Sequence, residues 1–215
     1  MTEPLWQLLI ATIPHRHGRL CELLACLDAQ ALPGFGALLY RDNLASPISA
    51  KRQALLDAAT AEYVSFADDD DWVSPFFVFR VLSELGARPD YVGFPVDYAV
   101  DGSPVQRAEH SIRYDGWHSW PERMVRDISH LNPVRRDIAV AARFDGGDSE
   151  DYRWAAGIRA AGLIREETWI PEVMYGYRFS SVDCHRTRRR PLPARSVAPL
   201  PAYPWLSVLQ VPGSC

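Results

Sequence analysis

Carboxylates stand in succession at Asp68, Asp69, Asp70 and Asp71, closed by Trp72. They follow Ala61-Glu62-Tyr63-Val64-Ser65-Phe66-Ala67, a short apolar, β-branched and aromatic stretch that predicts a buried strand. Like charges at a strand end repel one another, and burying them unpaired is costly. A divalent cation relieves both problems, because Mg²⁺-type ions take one or two carboxylates together with substrate phosphate oxygens. The alternative is a solvated acidic turn with Asp71 or Ser74 capping the next helix ahead of Pro75. A second acidic group, Asp148 to Asp151, opens another predicted helix, where the helix dipole favours the ionised form. Its alternative is a plain capping cluster. Arg186, Arg188, Arg189 and Arg190 form the basic run, which is either a solvated loop or a contact for a diphosphate or polyanion.

The elements that must position these groups follow from periodicity. Trp6 to Ile13 predicts a first strand, ended by Pro14-His15-Arg16-His17-Gly18. Leu20, Leu23, Leu24 and Leu27 give a one-faced helix over Arg19 to Gln30. A second strand, Ala37 to Tyr40, precedes Arg41-Asp42-Asn43, and a helix from about Ala50 to Ala59 leads to the strand before the acid run. This alternation predicts a mostly parallel sheet with helices on its faces. Ligands in such sheets bind outside the carboxyl ends of the strands, so Arg16, Asp42 and Asp68 to Asp71 should converge on one crevice.

Further on, helix Pro75 to Leu85 and strands Tyr91 to Val96 and Gln106 to Tyr114 are expected, then an aromatic loop over Gly116 to Pro121. A short helix follows Arg136, a longer one runs from Glu150 to Ala161 and closes at Gly162, and Thr168 to Ile170 is a late strand. Tyr175 to Arg178 is expected near the sheet edge. Six prolines fall among residues 191–215, which reads as a tail or strap and leaves 1–190 as one domain.

Composition narrows the class. With 215 residues and 47% apolar content the chain can bury one sizeable core, and a net charge of −4 gives no global pull toward nucleic acid or anionic membrane. The start lacks a basic, cleavable leader, and no run approaches the ~20 apolar residues of a membrane span. Cys21, Cys26, Cys184 and Cys215 show no framework spacing, so a reduced, cytoplasmic protein is expected. GxxxxGK[ST], GxGxxG and HExxH motifs are absent. His15, His17, His110 and His118 have no ligand spacing among them.

The Pro14-His15-Arg16 turn, a second strand ending in Asp42, Lys51-Arg52-Gln53-Ala54-Leu55-Leu56-Asp57-Ala58-Ala59, and Glu62 to Trp72 together resemble a family 2 glycosyltransferase of the GT-A fold. The similarity runs from about Trp6 to Trp72 and resumes from Asn132 to Gly162. It implies that Asp68 and Asp70 are the acids of a DXD motif holding Mn²⁺ or Mg²⁺ against the diphosphate of a nucleotide sugar. Asp69 and Asp71 would belong to the sugar or metal surroundings, and Arg16, Asp42 and Arg52 to the nucleotide side. Glu150-Asp151 resembles the family's Glu-Asp motif, whose Asp is the base of inverting members, with Asp148 a second choice. His185 matches a C-terminal metal ligand used by several GT-A enzymes. The first turn departs from the family's commoner Pro-Thr-x-Asn-Arg. The C-terminal half is short, so loops are expected to build the acceptor site, with Trp117, Trp120 and His130 as candidates.

A metal-dependent inverting glycosyltransferase is therefore the leading expectation, acting on an unknown acceptor hydroxyl. A variant is the same transfer to a hydroxymethylated base in DNA. From other classes come a nucleotidyltransferase, which lacks its Gly-rich loop here, and a silent nucleotide-sugar-binding module, against which Asp68, Asp70 and Asp151 argue.

Overall fold

β1 (Trp6–Thr12) lies between two parallel neighbours, β2 (Phe35–Arg41) and β3 (Tyr63–Asp68). Trp6, Leu8 and Ile10 enter one face of the sheet and Leu9 the other, the alternation a strand imposes. α1 (His17–Asp28) packs Leu20, Leu23, Leu24 and Leu27 against the first face. α2 (Ile48–Ala58) packs Leu55 and Leu56 against the second. Burying each of these large aliphatic side chains stabilises the fold by ~1.5–3 kcal/mol. The computed structural model describes residues 3–101, 103–121, 123–147, 149–181 and 190–209.

β4 (Trp72–Val73) follows the acid run, and α3 (Phe77–Leu85) adds Phe77, Val78, Val81 and Leu85 to the first face. Then come β5 (Tyr91–Val100), β6 (Gln106–His110), β7 (His118–Trp120), β8 (Arg123–Arg126) and β9 (Val134–Arg135). After the short α4 (Arg136–Ala139), α5 (Glu150–Ala161) buries Trp154, Ala155 and Ile158 on the second face. β10 (Glu167–Trp169), β11 (Tyr175–Phe179) and β12 (Leu206–Val208) complete the order. The strands run β12-β2-β1-β3-β9-β5-β6-β8-β7, with β10 and β11 both on β5. This is a single-domain α/β fold with a mostly parallel mixed sheet flanked by helices, as the sequence predicts.

Local differences have physical causes. The centre of the expected loop Gly116 to Pro121 is β7, paired antiparallel with β8. β11 lies inside the sheet and not at its edge, between β5 and β4. β5 continues past Pro95, which has no N–H to give, and passes from β10 at Gly93 to β11 at Val96. β4 and β9 are too short to leave a period in the sequence. Gly176 faces Trp72 across the β11–β4 pair, and a Cβ there would fall inside the indole ring. Only glycine lets Trp72 lie over that strand.

Residues 190–209 cross back over the ends of β2. The Asn43 amide donates to the Leu192 carbonyl (2.7 Å) and accepts from the Leu192 N–H (2.9 Å). Arg41 donates to the Ala198 carbonyl at 2.8 Å, Trp205 packs on Phe35 with centroids 5.4 Å apart, and β12 pairs parallel with β2.

His110 on β6 is buried, with Nδ1 2.8 Å from Asn132 Oδ1 and Nε2 3.1 Å from the Tyr98 hydroxyl. The Asn132 amide nitrogen donates to the Val92 carbonyl, so its oxygen faces His110 and must accept. The imidazole proton therefore sits on Nδ1, and Nε2 accepts from Tyr98. Burial pushes this histidine down to about 3. The folded state keeps it neutral while the unfolded chain takes up a proton below about 6.5. Its contribution is thus fully present above that pH and is lost as pH falls toward 3, at up to about 1.4 kcal/mol per pH unit. In urea titrations between pH 6.5 and 4.5, His110→Gln should decline less steeply than the parent. Parallel slopes would show that His110 does not drive acid unfolding.

Candidate active site

The acid run turns out of β3 into a cleft of about 860 Å³ lined by residues that follow β1, β2, β3 and β11 and by the start of α5. Two arginines organise it. Arg16, in the Pro14–Arg16 turn after β1, donates to Asp69 Oδ1 at 2.8 Å and grips both oxygens of Asp70 at 3.1 and 3.0 Å. Asp69 also accepts the Thr12 hydroxyl at 2.6 Å. Arg52, buried on α2, donates to Asp68 Oδ1 at 2.7 Å and to Glu150 Oε1 with its other nitrogen. It fastens the end of β3 to the first turn of α5.

Electrostatics divide the run by neighbour. Burial alone would raise the Asp68 carboxyl, but Arg52 and then His130 hold it below the usual range. Burial raises Asp69 against the pull of Arg16 and the Thr12 hydroxyl. Asp70 is pushed up to about 6 by burial, with Arg16 opposing and Asp68 and Asp69 adding. Burial, then Asp68, drive Asp71 well above the carboxylate range. Burial would lower Arg52, yet Asp68, Glu150 and Asp151 raise it above its ordinary value.

Asp71 points away from the cleft lining and into the fold. It accepts from the Tyr175 hydroxyl and from the Arg178 N–H, each at 2.7 Å, while the Asp68 N–H donates to Tyr175 at 2.9 Å. The run is thereby bolted to β11. Asp42 is likewise buried beneath the wall, paired with Lys51 and accepting from the N–H groups of Leu44 (3.2 Å) and Ser46 (2.7 Å). The loop it shapes, Leu44 and Ser46 to Ser49, does line the cleft.

Asp151 and Glu150 sit in the first turn of α5, Asp151 with 29% of its side chain exposed and facing the cleft. His130 and Trp117 line the same cleft, and Trp117 is held by its N–H on the Ile128 carbonyl at 2.9 Å. Trp120 is elsewhere. It is 51% exposed, stacks on His118 and takes no part in the lining. His185, Asp148, Arg186, Arg188 and Arg189 lie outside the described residues. Sequence reading passed over Arg126, whose guanidinium enters the cleft wall 5.0 Å from the Trp117 ring and 5.9 Å from that of Tyr98. It also passed over Tyr175 and Tyr177. Their two-residue spacing puts both on one strand face, which was readable.

Among the described residues, no three His, Cys, Asp or Glu side chains form a group that could hold a metal ion. The donors present at Asp68 and Asp70 are hard oxygens that line the cleft. Two carboxylates completed by substrate phosphate oxygens suit Mg²⁺ or Mn²⁺.

Removing Arg52 would strand Glu150 and Asp68. Arg52→Met should lower unfolding stability by about 3 kcal/mol, the smaller end for a broken buried pair, because Asp68 keeps some water. Arg52→Lys should recover only part of this, since an ammonium cannot fork to both acids. A urea midpoint unchanged in Arg52→Met would mean that the pairs hold nothing.

No protein-family model matches the sequence, and no curated protein matches it. Solved structures do resemble the fold. S. aureus TarS 1–349 in complex with UDP-GlcNAc aligns over 82% of this chain with a TM-score of 0.63 and 13% identity. The same protein in complex with UDP aligns over 81% with a TM-score of 0.61 and 14% identity. The S. aureus TarS structure not limited to residues 1–349 aligns over 81% at 13% identity, with a TM-score of 0.61 and 37% of that chain covered. This chain spans 59–60% of TarS 1–349. At such identity the likeness is one of fold.

Proposed function

We propose that this chain transfers a sugar from a nucleoside diphosphate sugar to an acceptor hydroxyl, with inversion at the anomeric carbon. The observation that carries the reading is that Asp68 and Asp70 line one cleft with Asp151, which is far from them in sequence, and that Arg52 ties Asp68 to Glu150 beside Asp151. The fold likeness to TarS, captured with UDP-GlcNAc and with UDP, supports a UDP-sugar as the donor class to test first. The family 2 resemblance of the same residues points the same way. No helix among the described residues is long and apolar enough to cross a membrane.

In this reading Asp68 and Asp70 hold Mn²⁺ or Mg²⁺, which when bound offsets charge growing on the departing diphosphate. Arg16 orients Asp69 and Asp70, while the loop shaped by Asp42 offers the nucleoside wall. Asp151 takes the proton of the acceptor hydroxyl as its oxygen bonds to the anomeric carbon. The bond from that carbon to the diphosphate breaks, and the nucleoside diphosphate leaves with the electron pair. Trp117 gives the acceptor a ring face. Trp120, outside the cleft, has no part in it.

Calorimetry with UDP tests the donor half. Binding should need Mn²⁺ or Mg²⁺ and largely vanish with EDTA, and Asp70→Asn should mimic EDTA without lowering the Tm. Equal UDP affinity with and without chelator would remove the cation from the site. For the other half, Asp151→Asn should keep UDP affinity while turnover of a UDP-sugar panel falls by on the order of 10²–10⁴. Joint loss of UDP binding would reduce Asp151 to a helix cap.

A further inference from the structure

His130, in the segment between β8 and β9, is 5% exposed, and neither ring nitrogen has a hydrogen-bond partner. An unsatisfied buried polar group costs ~1–3 kcal/mol, so a folded chain that keeps one calls for a cause. The ring is not loose: it rests on Phe66 with centroids 5.9 Å apart, and the His130 carbonyl accepts from the Phe66 N–H at 2.7 Å. Nδ1 lies 4.0 Å from Asp151 Oδ2. Asp151 Oδ1 already accepts the Tyr152 N–H at 2.8 Å, which leaves Oδ2 as the oxygen available to a reacting hydroxyl.

Burial, reinforced by Arg52 and opposed by Asp151 and Asp68, pushes His130 down to about 4, so the ring is neutral near pH 7. A neutral imidazole has one donor and one acceptor nitrogen, and an ionised carboxylate only accepts. A bond between them therefore needs the proton on Nδ1. The present 4.0 Å is too long for that bond, but catalytic hydrogen bonds are often long without substrate and tighten with it.

We propose that His130 is a positioning residue for Asp151: its Nδ1–H closes onto Oδ2 when substrate fills the cleft, and aims that oxygen at the acceptor hydroxyl. This rests on the reading of Asp151 as the base. The bond would remove the cost of the orphaned ring, which favours the reactive arrangement.

A double-mutant cycle on the full chain tests it, with UDP-GlcNAc and Mn²⁺ as probe, UDP release as turnover and calorimetry for UDP affinity. His130→Leu should lower kcat by on the order of 10-fold with UDP affinity kept and Tm kept or raised, since the orphaned ring is removed. His130→Gln, which retains a donor, should recover part of the loss. In the Asp151→Asn background His130→Leu should cost nothing further. A full penalty in that background would overturn the proposal, because His130 would then act without Asp151. No effect of Asp151→Asn alone would instead sink the base assignment, a separable failure. A second measurement needs no turnover: in ¹⁵N-histidine spectra with UDP and diamagnetic Mg²⁺, His130 should be the Nδ1–H tautomer and shift in Asp151→Asn. An Nε2–H ring, or one indifferent to that substitution, would equally overturn it.

Discussion

A guanidinium buried between the end of one strand and the start of one helix offsets much of the negative charge gathered at one place. Arg52 joins Asp68 to Glu150, residues far apart in sequence. Low-dielectric surroundings strengthen these pairs and also make their loss costly. Arg16 performs the same task on the neighbouring side, for Asp69 and Asp70. The rest of the site is arranged around how this charge is shared.

The acid run consequently does two jobs with one residue type. Asp69 and Asp71 are both buried, Asp69 in the cleft wall on Thr12 and Arg16 and Asp71 behind it on Tyr175 and the Arg178 backbone, and they fix the shape of the turn. Asp68 and Asp70 stay at the cleft, where carboxylate oxygens can meet a cation and phosphates. Rigidity in the buried pair gives precision to the other pair, because a site on fixed supports needs no reorganisation when charge develops. Trp72 lying over Gly176 closes the far end of the same turn.

Much of this was legible before any coordinates. α1 and α5 show one-faced apolar spacing, β1 and β3 are apolar throughout, and the resulting order forced the acids to a strand end. What escaped was whatever depends on a distant partner. Asp71 reads as a ligand or cap until Tyr175, 104 positions on, is seen beneath it. The Arg52–Glu150 pair spans 98 positions with no motif to announce it. Arg126 lies on a strand too short to carry a period, and Trp120 looked equivalent to Trp117 although Trp117, just before β7, lines the cleft and Trp120, at the end of β7, does not.

The strap has a consequence for how the molecule is made. β12 completes the sheet beside β2, and Arg41 reaches Ala198 across 157 positions of chain. Contacts of such separation form late, since a long loop must be closed before they stabilise anything. During synthesis, then, β1, β2 and β3 can assemble while the outer hydrogen-bonding edge of β2 is still bare and Phe35 still lacks Trp205. An unpaired, apolar parallel edge is a template for strands from other chains. The proline-rich segment, poor at pairing by itself, delivers a three-residue strand that seals that edge from within the same molecule.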